Sequence, residues 1–192
     1  TTLTITVTGK GPVGSADTAA GDTLKGGAGA DTFTMNDDWT YEDNIDGGAG
    51  TDVITTKAAV TDVQFMNVTN LETLDLTAAT AAKAIALGSY FSSSGISTVN
   101  LDGSHISTVT ATGTTSSVKY LVDGSNNVHD SVTGGIGDDT ISYDNTTLLT
   151  VKDAFVGGAG TDTIELRNTG GSVTGTIGLK DSTGFEKVVV KD

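Results

Sequence analysis

Cysteine is absent from this 192-residue chain, and proline and tryptophan occur once each. No disulfide can staple the fold, so order must come from packing, hydrogen bonding or bound ions. Aromatic residues make up only 5% of the chain and apolar residues 36%. That is too little for a thick globular core but enough for a thin column of side chains. There is no apolar run of about eighteen residues, so no segment reads as a membrane-spanning helix and no membrane insertion is expected. Positive charge is scarce too: Lys and Arg total 10 against 24 Asp and Glu, the net charge is −14, and Arg167 is the one arginine. Without a basic stripe, nucleic acid is excluded as a direct partner. His105 and His129 are isolated, neither lies in H-E-x-x-H, and both read as surface residues.

What the chain has instead is glycine, threonine and aspartate in strict order. Four stretches, Asp22–Phe33, Asp43–Ile54, Asp130–Ile141 and Asp153–Ile164, obey one twelve-residue rule, D-x-U-x-G-G-x-G-x-D-x-U with U large and apolar. Each contains the nonapeptide G-G-x-G-x-D-x-U-x of a calcium-binding β-roll. Ca²⁺ is a hard cation that takes about six to eight oxygens from carboxylates, backbone carbonyls and water. Glycines let a turn curl until its carbonyls converge, and the closing aspartate adds a short carboxylate of little mobility. Two residues later the U side chain (Phe33, Ile54, Ile141 or Ile164) begins a strand and points inward. Plain glycine-rich turns have no need of aspartate at a fixed offset.

Spacing shows which turns stack. Two nonapeptides complete one coil, so turns about eighteen residues apart lie above one another. Asp22 to Asp43 and Asp31 to Asp52 are each 21 apart, and Asp130 to Asp153 and Asp139 to Asp162 are each 23. Each pair is thus one coil plus an insertion, within Met35–Glu42 or Tyr143–Lys152. One calcium is expected between the Asp31 and Asp52 turns and a matching one between Asp139 and Asp162. Weaker sites are expected on the opposite edges, at Asp22/Asp43 and Asp130/Asp153, where the glycines are missing. About four ions would bring the net charge of −14 to about −6, reducing self-repulsion.

The paired motifs expose a duplication: Gly26 and Gly47 recur as Gly134 and Gly157, at offsets of 108 and 110. A related segment follows each pair, Asn70-Leu-Glu-Thr-Leu-Asp-Leu76 and Gly184-Phe-Glu-Lys-Val-Val-Val190. Ile96–Leu101, Ile106–Ala111 and Val118–Val122 repeat a short β-branched pattern at intervals of ten or so residues. Such strands, separated by Gly, Ser, Asp and Asn, read as rungs of a parallel solenoid. Threonine suits the outer faces of those rungs. Thr1–Thr8 alternates as a strand that extends or caps the stack, and Ala78–Leu87 is the one stretch with helical composition. The expected fold is all-β, a parallel β-roll or β-solenoid with calcium-binding turns. Its halves are 1–120 (motifs 22–33 and 43–54) and 121–192 (motifs 130–141 and 153–164), continuous as one domain. The start at Thr1 and the lack of a signal peptide suggest a fragment of a larger protein.

The motifs Gly26-Gly-Ala-Gly-Ala-Asp31, Gly47-Gly-Ala-Gly-Thr-Asp52, Gly134-Gly-Ile-Gly-Asp-Asp139 and Gly157-Gly-Ala-Gly-Thr-Asp162 resemble repeats-in-toxin (RTX) sequences of proteins exported by type I secretion. The threonine-rich solenoid and the Asn-Leu-Glu-Thr-Leu-Asp-Leu segment are most similar to the crystalline surface-layer (S-layer) proteins of Gram-negative bacteria, of the Caulobacter kind. The resemblance implies Ca²⁺ between stacked turns, bound by Asp31, Asp52, Asp139 and Asp162. It adds carbonyls from Gly26, Ala28, Gly48, Gly50, Gly134, Ile136, Gly158 and Gly160. It also implies an extracellular, cell-surface structural protein that is secreted unfolded, folds on extracellular Ca²⁺ and assembles with copies of itself. One competing reading is a segment of an RTX adhesin that binds cell-surface polysaccharide, with Trp39 and Tyr41 stacking on a sugar. Aromatic pairs in loops more often cover a core edge. A second is a non-catalytic RTX module of a secreted enzyme. Catalysis within this chain is not expected: a calcium-dependent lyase needs a basic residue beside its metal, and Arg167 has no evident acidic partner cluster.

Overall fold

The structure is a computed structural model that describes residues 2–6, 21–35, 39–77, 79, 81–101, 105, 107–122, 130–143, 153–167 and 182–191. Most strands are short runs that place a large apolar residue between Thr, Ser, Asn or Lys neighbours, and Gly or Asp lies close by many of their ends. The first ten are β1 (Thr4–Thr6), β2 (Thr23–Lys25), β3 (Thr32–Thr34), β4 (Asn44–Asp46), β5 (Val53–Thr55), β6 (Val68–Thr69), β7 (Thr73–Asp75), β8 (Lys83–Ala86), β9 (Thr98–Asn100) and β10 (Ser107–Thr110). Then follow β11 (Lys119–Val122), β12 (Ser131–Thr133), β13 (Thr140–Tyr143), β14 (Ala154–Val156), β15 (Thr163–Arg167) and β16 (Lys187–Lys191).

Their pairing makes a parallel solenoid. The odd-numbered strands from β1 to β15, followed by β16, form one nine-stranded sheet. The opposite face is two sheets, β2-β4-β6 and β14-β12-β10-β8. Register stacks like on like: Ile5, Phe33, Ile54, Leu74, Val99, Tyr120, Ile141, Ile164 and Val188 are successive partners in one column. Facing it are Ile45 and Val68 on one sheet and Ile85, Val109, Val132 and Phe155 on the other, all buried. The outward positions carry Thr4, Thr32, Thr73, Thr98, Thr140 and Thr163 along one line, broken by Val53 and Lys119. Burying alternate residues of most rungs, with Ser142 and Glu165 the added exceptions in β13 and β15, is how so apolar-poor a chain keeps a continuous core.

The second face splits because one coil reaches both of its sheets. Val60 bridges Ile85 of the next coil, and the same chain then turns through a 3-10 segment, Asp62–Phe65, to place β6 against β4. A short helix, α1 (Ser89–Ser93), follows β8. The Asp62 carboxylate accepts the Phe91 amide at 2.9 Å and the Tyr90 amide at 3.3 Å, which fixes α1 to the neighbouring coil. Trp39, Phe65 and Phe91, from three successive coils, pack edge to face with centroids 4.9 and 5.1 Å apart and seal the split.

The expected helix within Ala78–Leu87 is not formed: Lys83–Ala86 is strand β8, and the helix lies just after it. Alanine propensity yields here to the ladder, because β8 pairs in register with β10 through Ser107–Thr110 and on its other side takes a bond from Ala86 N to Val60 O. Ile96–Leu101, Ile106–Ala111 and Val118–Val122 do contain rungs β9, β10 and β11. The division between 120 and 121 falls inside β11, through which the long sheet runs from β9 to β13. Residues 36–38 and 144–152 of the two insertions lie outside the described residues, as does His129.

Candidate calcium-binding turns

Each glycine motif spans the corner between the second face and the long sheet: 26–31 joins β2 to β3, 47–52 joins β4 to β5, 134–139 joins β12 to β13, and 157–162 joins β14 to β15. The turns stack in the pairs that the spacing implies. Ala28 and Ala49 form a parallel bridge, with Ala49 N donating to Gly27 O and Gly29 N to Ala49 O, both at 2.8 Å. Ala159 N donates to Gly135 O at 2.9 Å in the other pair. These bonds use carbonyls other than those of Gly26, Ala28, Gly48, Gly50, Gly134, Ile136, Gly158 and Gly160, the oxygens assigned to the metal by resemblance.

The closing aspartates form ladders. Asp31 Oδ1 accepts Leu3 N at 2.6 Å, and Asp52 Oδ1 accepts Asp31 N at 2.8 Å. In the second half Asp139 Oδ1 accepts Val118 N at 2.8 Å, and Asp162 Oδ1 accepts Asp139 N at 2.7 Å. All four side chains are buried. Anionic oxygens at this depth are costly unless donors or cations surround them. Burial raises the carboxyl pKa of Asp139 above its ordinary value against the opposing backbone bonds from Gly135 and Val118. Asp162 is raised for the same reason, with Glu186 adding to the effect.

The two turns of a pair are not equivalent. In the first, the other aspartate oxygen closes its own turn: Gly27 N donates to Asp31 Oδ2 at 2.6 Å, and Gly135 N to Asp139 Oδ2 at 2.8 Å. In the second, Gly48 (φ +97°) and Gly158 (φ +114°) take left-handed backbone that only glycine adopts at little cost. There Asp52 Oδ2 and Asp162 Oδ2 are buried with no donor. Both halves make this same arrangement from different neighbours. A buried carboxylate oxygen lacking a donor, beside carbonyls of the adjoining coil, suits a hard divalent cation and calcium above all. Among the described residues no three carboxylate or imidazole side chains converge, so aspartates would supply a minority of the oxygens and backbone the rest.

The opposite edges are built differently. Asp43 Oδ1 accepts Asp22 N at 2.9 Å, and its Oδ2 accepts Thr40 N at 2.7 Å. Asp153 Oδ1 accepts Asp130 N at 3.2 Å, and its Oδ2 accepts the Tyr143 hydroxyl at 2.9 Å. Asp130 in turn accepts Ser107 N at 2.8 Å. Asp22 is exposed and enters this ladder through its amide. These edge aspartates act as acceptors that hold coils together.

Other candidates resolve plainly. Trp39 is buried against Phe65 while Tyr41 is exposed, so the two do not form a common stacking platform. Arg167 does have an acidic partner, two residues away on the same face of β15: Glu165 Oε1 lies 2.8 Å from its Nε. Glu165 is buried and also meets Lys119 at 2.9 Å, Lys191 at 2.7 Å and the Ser142 hydroxyl at 3.1 Å. Burial alone would raise its pKa, but the bonds from Lys191, Lys119 and Ser142 outweigh it and hold the group at about 2.

Comparison with known proteins agrees with the turn geometry. Residues 17–34, 40–58 and 126–145 match the RTX calcium-binding nonapeptide repeat (4 copies). The motif at 153–164 lies outside these segments, although its turn repeats the geometry of Gly47–Asp52. No curated protein and no solved structure matches the chain. No described helix is long and apolar enough to cross a membrane. Repeats of this type are typical of secreted proteins, and this chain is an all-β solenoid that carries RTX calcium-binding repeats.

Proposed function

We propose that the chain is a calcium-dependent structural segment of a bacterial surface layer, exported unfolded and folded outside the cell by Ca²⁺. The calcium half of this reading rests on the donor-less oxygens of Asp52 and Asp162. Extracellular calcium modules have dissociation constants of about 10⁻⁴–10⁻³ M, far above free cytosolic calcium. A chain with a net charge of −14 and no cysteine then stays open until it meets calcium.

The structural half rests on one observation. Ile164 and Leu166 are buried in β15, yet their partners Val188 and Val190 in β16 are 56% and 55% exposed. Among the described residues β16 is the last strand of the long sheet, and its exposed valines are the kind of surface that another rung covers. Copies stacked end on end would bury it, and a head-to-tail contact of that kind propagates rather than closes. Arg167, the residue a lyase would need beside its metal, is held by Glu165, which supports a non-catalytic role. Sedimentation of the chain and its parent with millimolar Ca²⁺ and with chelator tests the reading. Assembly that requires calcium and reverses in chelator is expected; a strict monomer under both conditions refutes the surface-layer role and favours an adhesin.

A further inference from the structure

Each RTX pair is followed by a third coil that lacks the glycine motif yet repeats its corner. Val53 pairs with Thr73, and Thr163 with Lys187, so Glu72 and Glu186 occupy the rung positions of Asp52 and Asp162. The ladder continues onto them: Asp52 N donates to Glu72 Oε2 at 2.6 Å, and Asp162 N to Glu186 Oε2 at 2.8 Å. Their turns are three residues long, 70–72 and 184–186, where the motif turns have six. Each opens on a left-handed residue, Asn70 (φ 54°) or Gly184 (φ 72°). The carbonyls of Asn70 and Gly184 lie directly against Gly47 and Gly157. A Cβ built on either glycine would meet that carbonyl and the adjacent aspartate Oδ2 together.

Those oxygens are the ones that lack donors. Asp52 and Asp162 are 0% exposed, and their Oδ2 atoms have no hydrogen-bond partner. The unsatisfied oxygen lies beside the glycine against which the third coil's carbonyl packs, on the same residue whose amide holds the glutamate. We infer that Glu72 and Glu186 are calcium ligands, each completing a second site between the second motif turn and the glutamate turn that follows. Asp52 Oδ2, Glu72 and the Asn70 carbonyl supply oxygens in one half, and Asp162 Oδ2, Glu186 and the Gly184 carbonyl in the other. The extra methylene of glutamate lets a shorter turn reach the same point. Calcium's loose geometry accepts carboxylates and carbonyls at about 2.3–2.6 Å without a strict octahedron. The second ion of each half thus belongs beside the first, on the donor-less oxygen of Asp52 or Asp162, and not at Asp22/Asp43 or Asp130/Asp153, where Asp43 and Asp153 offer no such oxygen and no glycine turn adjoins.

This inference rests on the calcium reading above, and the test separates the two. Calcium is titrated into the full chain calorimetrically, with equilibrium dialysis to count ions, for wild type, Glu72→Gln, Glu186→Gln and the double variant. A glutamine carbonyl still accepts the Asp52 or Asp162 amide, so a purely structural role leaves the count unchanged. The expected result is one fewer ion for each single variant and two fewer for the double. Asp22→Ala/Asp130→Ala keeps the wild-type count. Circular dichroism at saturating Ca²⁺ is expected to coincide for wild type and the glutamine variants, which excludes misfolding as the cause. Because each single variant leaves the other half intact, a folding failure in one half still leaves the other to decide. An unchanged count in the double variant overturns the inference while leaving the calcium reading standing; a wild-type chain that binds no calcium overturns both.

Discussion

The Tyr143 hydroxyl donates to Oδ2 of Asp153 at 2.9 Å, and this bond separates two kinds of buried aspartate in the solenoid. Asp153 has a donor on each oxygen; Asp52 and Asp162 each keep one oxygen bare. The first kind stabilises the fold with or without metal. The second makes the metal-free fold worse and the metal-bound fold possible.

Substitution separates them. Asp153→Ala removes the carboxylate that accepts the Tyr143 hydroxyl and the Asp130 amide and should cost about 1–3 kcal/mol. That loss should appear equally in Ca²⁺ and in chelator, by thermal or denaturant unfolding. Asp52→Asn, which keeps an acceptor for the Asp31 amide, should lower Tm with calcium present and leave it unchanged or higher in chelator.

Ranking the corner acids gives a binding prediction. Asp31→Ala or Asp139→Ala should weaken calcium binding more than Asp22→Ala or Asp130→Ala. Asp22→Ala, at an exposed position, should alter stability by no more than about 0.5 kcal/mol. Four titrations compare them, and equal affinities would show that the glycine-bearing corners are not the metal corners.

Calcium removal should unfold much of the rung structure, because metal-binding free energy is folding free energy where no site exists in the open chain. Far-UV circular dichroism at millimolar Ca²⁺ should show β-structure of which chelator leaves only a marginally stable remainder, with Mg²⁺ a poor substitute because it demands a tighter octahedron. Trp39, the one tryptophan, provides a second signal. Its burial against Phe65 predicts blue-shifted emission that moves red on chelation. Trp39→Ala should cost about 3–5 kcal/mol by opening the column at the split.

Acid should act in two opposed ways in chelator. Asp139 and Asp162 have pKa values raised by burial, so their charged forms oppose folding near neutrality, and that opposition fades as pH falls through the raised values. Glu165 is depressed from 4.5 to about 2, so its stabilisation is complete above 4.5 and is lost as pH falls through 2. Metal-free stability should therefore rise on mild acidification and fall below about pH 4.5, while calcium affinity falls throughout because the ligands must be deprotonated. Unfolding curves across pH check the first two limbs, and calorimetry checks the third.

The rungs, the pairing of turns and the parallel stack were legible in the residues, since each follows from local chemistry at fixed offsets. Leu24, Ile45, Val132 and Phe155 begin one face, Phe33, Ile54, Ile141 and Ile164 the other, and Gly-Gly-x-Gly-x-Asp turns between them. The repeat of Asn70–Leu76 as Gly184–Val190 was visible, but not that its glutamate sits over the motif aspartate. Helical composition misled at Ala78–Leu87 because alanine's preference is small beside a ladder paired with β10. Trp39 could be placed near a core edge, but not opposite Phe65, because its partner is 26 residues away.

The amino-acid sequence by itself determined that this chain coils with a short period, buries alternate residues of most rungs and offers carboxylates where glycine turns curl. Those properties belong to neighbours in the chain, and period and pattern carry them. Only the tertiary structure decided which carboxylate meets which coil. Asp153 finds the Tyr143 hydroxyl, Glu165 gathers Lys119, Arg167 and Lys191, and Glu72 and Glu186 close their ladders above oxygens that have no donor. The ladders and the Lys119 and Lys191 contacts bring together atoms twenty or more residues apart, and the Tyr143–Asp153 bond spans ten, separations that no local spacing rule connects.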